Sequence, residues 1–473
     1  MNSILVILFI TLYVYTLIST ISVLLLENRN PAKSLSWVLV LLFLPLLGLV
    51  FYLIFGQNLR KQKIISKKSF RWQKRIQGLF DIDKIDDSKM DNNQLNLIKM
   101  LYKNSDARAY THNKIDILSE GKNTFDAMFD AIRLAENHIH IEFFIFGNDK
   151  ISNILRELLI EKAKQGIRVR MIYDYWGSFF LSRLYLRTLR ESGVYIRPFL
   201  PFRLRLGRSK INYRNHRKIL IVDGKIGFTG GLNVADRYIF GNSLGFWRDT
   251  FVRFEGEVVH GLQQLFLMDW YFVERKMITD TKYYPKSEIY DNNIVQIVSS
   301  GPDTDWESIM QGIASAIMSA TKYVYIHTPY FIPNDVIESC ILMSTLSGVD
   351  VRLMIPDRSD SKLSDDCTSS YLGQILEAGA RVFKYKKGFL HSKAIVIDDF
   401  ISIVGSANLD ERSFNQNFEV NAFIYDQNTA NELKRLFLRD MDNCIEIDFQ
   451  SWSNRKRSQK LKESFSRLFS PLM

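Results

Sequence analysis

NHRKILIVDGKIGFTGGLN, Asn215 to Asn233, and LHSKAIVIDDFISIVGSAN, Leu390 to Asn408, are two versions of one phrase. Both read HxKxxxxD: His216, Lys218 and Asp223 in the first, His391, Lys393 and Asp398 in the second. Gly230 and Gly405 follow 14 residues past their histidines, and Asn233 and Asn408 follow at 17. A histidine and a lysine two apart in a strand point to the same face, whereas an aspartate seven past the histidine falls on the opposite one. One such motif is weak; two in register mark a paired site.

Working outward, AIRLAENHIHIE from Ala131 aligns without a gap on AIMSATKYVYIH from Ala316. GIRVRMIYD from Gly166 matches GVDVRLMIPD from Gly348 with one inserted residue. Three matches in one order indicate a duplicated domain. Each half alternates helices such as SNILRELLIEKAKQ with strands such as HIHIEFFIF and YVYIHTPYF. That pattern predicts an α/β fold of two α/β/α domains, 106–285 and 286–450, packed with pseudo-twofold symmetry around a shared site.

In front lie two apolar runs, Ile4–Leu26 and Leu35–Phe55, separated by Glu27 to Lys33. Each exceeds the roughly 20 residues that a helix needs to cross a bilayer, so 1–58 reads as a transmembrane hairpin. A cleaved signal peptide fits poorly, since no basic residue precedes the first run and no small-x-small site follows it. Arg60, Lys61, Lys63, Lys67, Lys68, Arg71, Lys74 and Arg75 follow the second run with no acid among them. Basic residues beside a span stay inside, which predicts a multi-pass protein of the cell membrane with its catalytic halves in the cytoplasm. This stretch opens a basic juxtamembrane linker, 59–105, which either only sets topology or also lies against anionic headgroups.

The chain has 473 residues, 47% of them hydrophobic, and a net charge of +11. It is long enough for two cores, and its charge favours an acidic partner: nucleic acid, anionic membrane lipids or a phosphorylated substrate. Cys340, Cys367 and Cys444 are too widely spaced for a zinc site and read as reduced thiols.

Phosphoryl transfer explains the motif's composition. A neutral imidazole attacks phosphorus, a protonated one gives its proton to the leaving alcohol, and histidine reaches both states near neutrality. Two lysines and two asparagine amides would hold the non-bridging oxygens, so no metal or cofactor is required. Asp249 in FWRDTFV and Glu419 in NFEVNAF enter apolar strands that a lone charge avoids. Each is expected to orient the histidine of its own half, the alternative being an ion pair with Arg248 or Arg412.

These residues resemble the phospholipase D superfamily, whose signature is a duplicated HxKxxxxD followed by GG or GS and Asn. Ser406 matches the GS form, while Gly231 stands at that place in the first half. The resemblance implies a phosphohistidine on one of His216 and His391, usually the first, with the other acting as acid and then base. It carries over Asp223 and Asp398 as structural supports. Within the superfamily the chain is most similar to bacterial cardiolipin synthases, through NRNPAKSLSW, SSGPD, TPYFIP, GSANLDERSF and the ending RLFSPLM. That similarity implies phosphatidyl transfer between two phosphatidylglycerols, releasing glycerol. A phospholipase D hydrolase, a phosphatidylserine synthase, a nuclease and an inactive membrane scaffold are the rivals. A nuclease has no need of two spans, so nucleic acid is not the expected partner, and a scaffold would normally have lost part of a motif. The oligomeric state is not legible.

Two further stretches suit a lipid substrate. The loop Phe199 to Asn215 sets Arg203, Arg205, Arg208, Lys210 and Arg214 among apolar residues, either in an interface or as a solvated loop. In 451–473 Leu461, Phe465, Leu468 and Leu472 keep helical spacing opposite Lys460, Lys462 and Arg467. This helix is expected to pack on the second domain rather than enter lipid.

Overall fold

Strand and helix alternation builds the same seven-strand arrangement twice, as a seven-stranded sheet in the first half and within a ten-stranded sheet in the second. The computed structural model describes residues 2–26, 31–44, 47–52, 90–201, 212–291 and 293–470. The basic run 60–75, Arg203, Arg205, Arg208, Lys210, Leu472 and most of the turn between the apolar runs lie outside the described residues.

In the first half the strands are β1 (Asn113–Leu118), β2 (His138–Phe143), β3 (Arg168–Asp174), β4 (Tyr195–Phe199), β5 (Ile219–Val222), β6 (Ile226–Gly230) and β7 (Phe251–Gly256), in sheet order β1-β7-β6-β5-β2-β3-β4. In the second they are β8 (Ile294–Ser300), β9 (Tyr323–His327), β10 (Asp350–Pro356), β11 (Arg381–Tyr385), β12 (Ala394–Ile397), β13 (Ile401–Gly405) and β14 (Asn417–Tyr425), in the order β8-β14-β13-β12-β9-β10-β11. Every strand therefore has its counterpart seven places on. β2, β3 and β4 run parallel through helical crossovers and the remaining neighbours are antiparallel, as are their counterparts. β2, β9, β12 and β14 are buried at every position, as strands covered on both faces must be.

Two segments depart from the expected boundaries. Residues 92–105, assigned to the linker, form the helix Asn92–Ser105, opened by a capping box between Asp91 and Gln94. Leu97, Ile98 and Leu101 bury into the core of the second half, and Gln296 donates to the Ile98 carbonyl. Ala109–Tyr110 then pairs with β8. The chain thus contributes to the second core before it builds the first sheet, because an apolar helical face needs a partner and this sheet supplies one.

The two compact units given by the backbone contacts are 1–62 with 202–213, and the remainder. In the former, Asn2–Leu26 is helical over 25 residues without a charge. The second apolar run is not one helix: Pro31–Phe43 and Leu47–Phe51 flank Pro45. Proline has no N–H, so the Leu41 carbonyl lacks its helical donor, and the Tyr13 hydroxyl, 3.4 Å away, takes that place. Leu41, Tyr52, Leu17, Ile21, Trp37 and Val38 pack the helices together. Several side chains of the first helix, those at 23–26 among them, are not described, and among the described residues no helix is both long and apolar enough to cross a membrane.

The C-terminal segment forms the helices Phe449–Ser453 and Arg457–Arg467. The second packs on the second half as expected, but through its polar side. Lys462 pairs with Asp366, Arg467 lies 4.1 Å over Tyr371 and 3.6 Å from Glu338, and Glu463 is buried against Arg455. Leu461, Phe465 and Leu468 are 73%, 61% and 72% exposed.

Candidate active site

Each motif histidine stands at the end of a short strand that crosses to the other half. Arg214–Asn215 pairs in parallel with Asn417 and Phe418 of β14, and the His216 N–H donates to the Phe418 carbonyl at 2.9 Å. Gly388–Leu390 pairs in parallel with Phe246–Arg248, and the His391 N–H donates to the Arg248 carbonyl at 2.7 Å. The residue after each accepting carbonyl is a carboxylate. His216 Nδ1 therefore meets Glu419, at 2.9 and 3.0 Å from its two oxygens, and His391 Nδ1 meets Asp249 at 2.6 Å.

This corrects the expectation that each carboxylate serves its own half: the pairing is crossed. The ion-pair alternative fails too, since Arg248 bonds the Asp440 carboxylate at 2.9 Å. No local sequence pattern signals the exchange, because two inter-half strand pairings decide it.

With Nδ1 held by a carboxylate, Nε2 is the nitrogen left for chemistry. Both histidines line one cavity of about 660 Å³ together with Asn233 and Asn408. Lys218 and Lys393 are fully buried and donate to the carbonyls of their own histidines. Lys393 Nζ is also 3.0 and 3.2 Å from the two ring nitrogens of His391. Asn233 spends an amide hydrogen on the Tyr238 hydroxyl and Asn408 spends one on Asp410, which leaves each one more. Arg214 also lines the cavity.

Asp223 and Asp398 are not among the lining residues and act as supports. Both take a left-handed turn, φ 56° and 50°. The Asp223 carboxylate accepts from the N–H groups of Glu136, Asn137 and His138, each at 2.8 Å. Asp398 does the same for Thr321, Lys322 and Tyr323. Each ties the end of its motif strand to the start of the neighbouring one, β2 or β9. A hydrogen bond to a charged group contributes about 1.5–3 kcal/mol, so three hold the strand start firmly. Ser406 holds a carboxylate in place: its hydroxyl donates to Glu419. At Gly231 a Cβ would lie 2.3 Å from an Asp249 oxygen, so only glycine fits beside that carboxylate.

Burial sets the electrostatics. It lowers His216 to about 4, against the pull of Glu419, and puts His391 well below its ordinary value, aided by Lys393 and Lys218. Burial thus favours the neutral form of both imidazoles. Burial lowers Lys218 well below the usual lysine range and Lys393 to about 8. Burial also raises Asp249 to about 6. For Glu419 the same burial is outweighed by His216, Lys218 and Ser406, which hold it below an ordinary glutamate.

A layer of buried charge behind the histidines was not anticipated. The Arg217 guanidinium lies 2.6 Å from one Asp269 oxygen, and its Nε donates to the Glu419 carbonyl. Glu142 accepts from Asn215. Asp440 takes the place of Asp269 in the second half, with Arg248 as its counter-charge. A signal existed: LQQLFLMD, Leu262 to Asp269, repeats as LKRLFLRD, Leu433 to Asp440.

Two oriented imidazoles facing one cavity, each with a buried lysine bonded to its own backbone carbonyl, suit displacement at phosphorus, the work of the phospholipase D class of phosphodiester-transferring enzymes. Residues 128–270 and 313–441 match the family model described as "Cardiolipin synthase, PLD-like domain", and residues 11–57 match "Phospholipase_D-nuclease N-terminal". The chain is 40% identical to a cardiolipin synthase of Halalkalibacterium halodurans, over 95% of this chain and 91% of that one. It is 39% identical to another from Oceanobacillus iheyensis, over 98% of both. The phosphatidylserine synthase of Haemophilus influenzae, 14% identical, covers 80% of this chain and 100% of its own at a TM-score of 0.60, which shows the shared fold. The chain belongs to the phospholipase D-like cardiolipin synthase family, and as such is a phosphatidyltransferase.

Proposed function

We propose that the protein joins two phosphatidylglycerols into cardiolipin and glycerol, with His216 as nucleophile and His391 as acid and base. The observation that carries the roles is the unequal backing of the two histidines inside one cavity. Glu419, held ionised by His216, Lys218 and Ser406, stabilises positive charge on His216 as its Nε2 bonds phosphorus. Asp249, raised to about 6, supports positive charge on His391 less strongly and leaves it readier to release a proton.

The donor phosphodiester is an anion. Its arrival between Lys218 and Lys393 offsets the charges that depress His391, which becomes protonated. His216 attacks phosphorus, the bond to the glycerol headgroup breaks, and His391 gives its proton to the leaving oxygen. The terminal hydroxyl of a second phosphatidylglycerol then attacks the phosphatidyl-histidine while His391 takes its proton. The P–N bond breaks, cardiolipin leaves, and both histidines return to their starting states. The lysines and the remaining amide hydrogens of Asn233 and Asn408 face the charge that gathers on the non-bridging oxygens.

A lipid substrate calls for a membrane location. In support, the Asn2–Leu26 helix has no charge and exposes Ile4, Leu5, Val6 and Ile7, while Leu35, Leu42, Phe43 and Leu47 are exposed on the second run. We read residues 1–58 as the anchor, with the basic flank keeping the catalytic halves in the cytoplasm. The deciding experiment follows purified protein in phosphatidylglycerol vesicles. Cardiolipin and glycerol in equal amounts are expected, with turnover unaffected by chelator, and phosphatidic acid as sole product would overturn the transferase reading. Protease added outside intact cells should leave the catalytic halves uncut.

A further inference from the structure

A helix that docks through its polar side and turns its apolar side outward reverses the usual arrangement of a water-soluble protein. Arg457–Arg467 does this. Glu463 and Ser466 are buried, and Leu461, Phe465 and Leu468 project from the opposite side. Arg455, Lys456, Arg457, Lys460, Lys462 and Arg467 face a single acid in this segment, Glu463. An outward apolar stripe flanked by basic residues is the pattern of a helix lying in an anionic bilayer surface.

A second exposed apolar cluster lies on the turn after β3. Phe179 and Phe180 are 58% and 87% exposed, and Trp176 stacks on Phe179 with centroids 6.0 Å apart. Both clusters border the catalytic cavity. Arg214, which lines it, sits 5.6 Å over Trp176, and Phe469, which also lines it, is 5.5 Å from Phe465. Ser178 fixes the turn through its hydroxyl, which donates to the carbonyl of cavity-lining Phe144.

We propose that Leu461, Phe465 and Leu468 on one side of the cavity mouth and Phe179 and Phe180 on the other enter an anionic bilayer. They seat the mouth on the leaflet, so that a substrate headgroup reaches the histidines while its acyl chains stay in lipid. The partner is the membrane surface itself, and the inference rests on the lipid-substrate reading above. It resolves the C-terminal helix in favour of lipid contact, made while the helix remains docked on the second half.

The test uses the full chain in phosphatidylglycerol nanodiscs. In a Cys444→Ser background, a bimane label at Phe465→Cys or Phe180→Cys should be quenched at least twofold by doxyl lipids. A label at Leu346→Cys, whose 73% exposure lies between those of Phe465 and Phe180 but which stands at the far end of the helix that follows the cavity-lining Ile332, should not be. Phe465→Asp with Leu468→Asp, and separately Phe180→Asp, should raise KM for bilayer phosphatidylglycerol about tenfold. Turnover of monomeric dihexanoyl phosphatidylglycerol should stay within twofold of the parent. Labels that escape quenching, or variants that slow both substrates equally, overturn the docking proposal. A parent that makes no cardiolipin from either substrate overturns the reaction reading, while the quenching still decides the docking.

Discussion

The two halves share seven strands in one order, yet they solve one local problem differently. Where the second half has Ser406 and Glu419, the first has Gly231 and Asp249. The longer carboxylate reaches His216 and is held by a serine hydroxyl; the shorter one reaches His391 by leaning against a glycine. The buried counter-ions differ in the same manner. Asp269 is paired by Arg217, the residue after the first histidine, and Asp440 by Arg248, the residue before the first half's carboxylate. Duplication thus preserved the burial and the charge balance, while each copy was free to choose which strand delivers them. The difference leaves one histidine backed by a firm anion and the other by a carboxyl that titrates near 6.

The largest test of that inequality removes each histidine in turn. His216→Ala and His391→Ala should each cut cardiolipin formation by roughly 10³-fold or more. A phosphatidyl p-nitrophenyl ester, whose leaving group needs no proton, should restore release of nitrophenol to His391→Ala but not to His216→Ala. The reverse rescue would exchange the two roles.

Next come the carboxylates. An amide in place of an orienting carboxylate presents the wrong partner to the ring, so Glu419→Gln should lower kcat by about 10³-fold and Asp249→Asn by about 10²-fold. Equal losses in steady-state assays would remove the asymmetry. Smaller again is the glycine–serine pair. Gly231→Ser puts a Cβ 2.3 Å from Asp249 and should cost about tenfold or more in kcat, whereas Ser406→Gly loses one hydrogen bond and should cost several-fold.

The mildest test is pH. A histidine with a lowered pKa stays neutral to lower pH, so kcat/KM should hold well below 6.5 and fall only on approach to His216's value of about 4. On the other side Lys393 loses its charge as pH rises through about 8, and kcat/KM should decline there. An acid limb at 6.5 would mean that burial does not depress His216.

Much of this was readable from residues in register. Strand period put His216 with Lys218 and sent Asp223 to the other face, where it serves a backbone turn. Period and spacing act along one chain, and so Asp249 and Glu419 were found but assigned to the wrong histidines. Their true partners depend on which strands meet between the halves, and no pattern within a half contains that. Arg217 carries no sequence signal, and Arg248 reads only as a partner for its neighbour Asp249, because an arginine in an apolar strand announces nothing until its partner, here Asp269 or Asp440, is seen. The C-terminal helix is legible as two faces and as packing on the second half, but not the side it packs with, since amphipathicity does not state whether protein or lipid is the partner.

The crossed pairing also sets when the enzyme can first act. His216 and the carboxylate that orients it are 203 positions apart, and His391 waits on a residue 142 positions upstream. At about 5–20 residues per second, a ribosome needs roughly 10–40 s after making the first histidine to supply its partner. Throughout that interval the nascent chain carries an intact first motif whose histidine lacks its orienting carboxylate. A complete site is thereby withheld until both halves have been synthesised and have folded against each other.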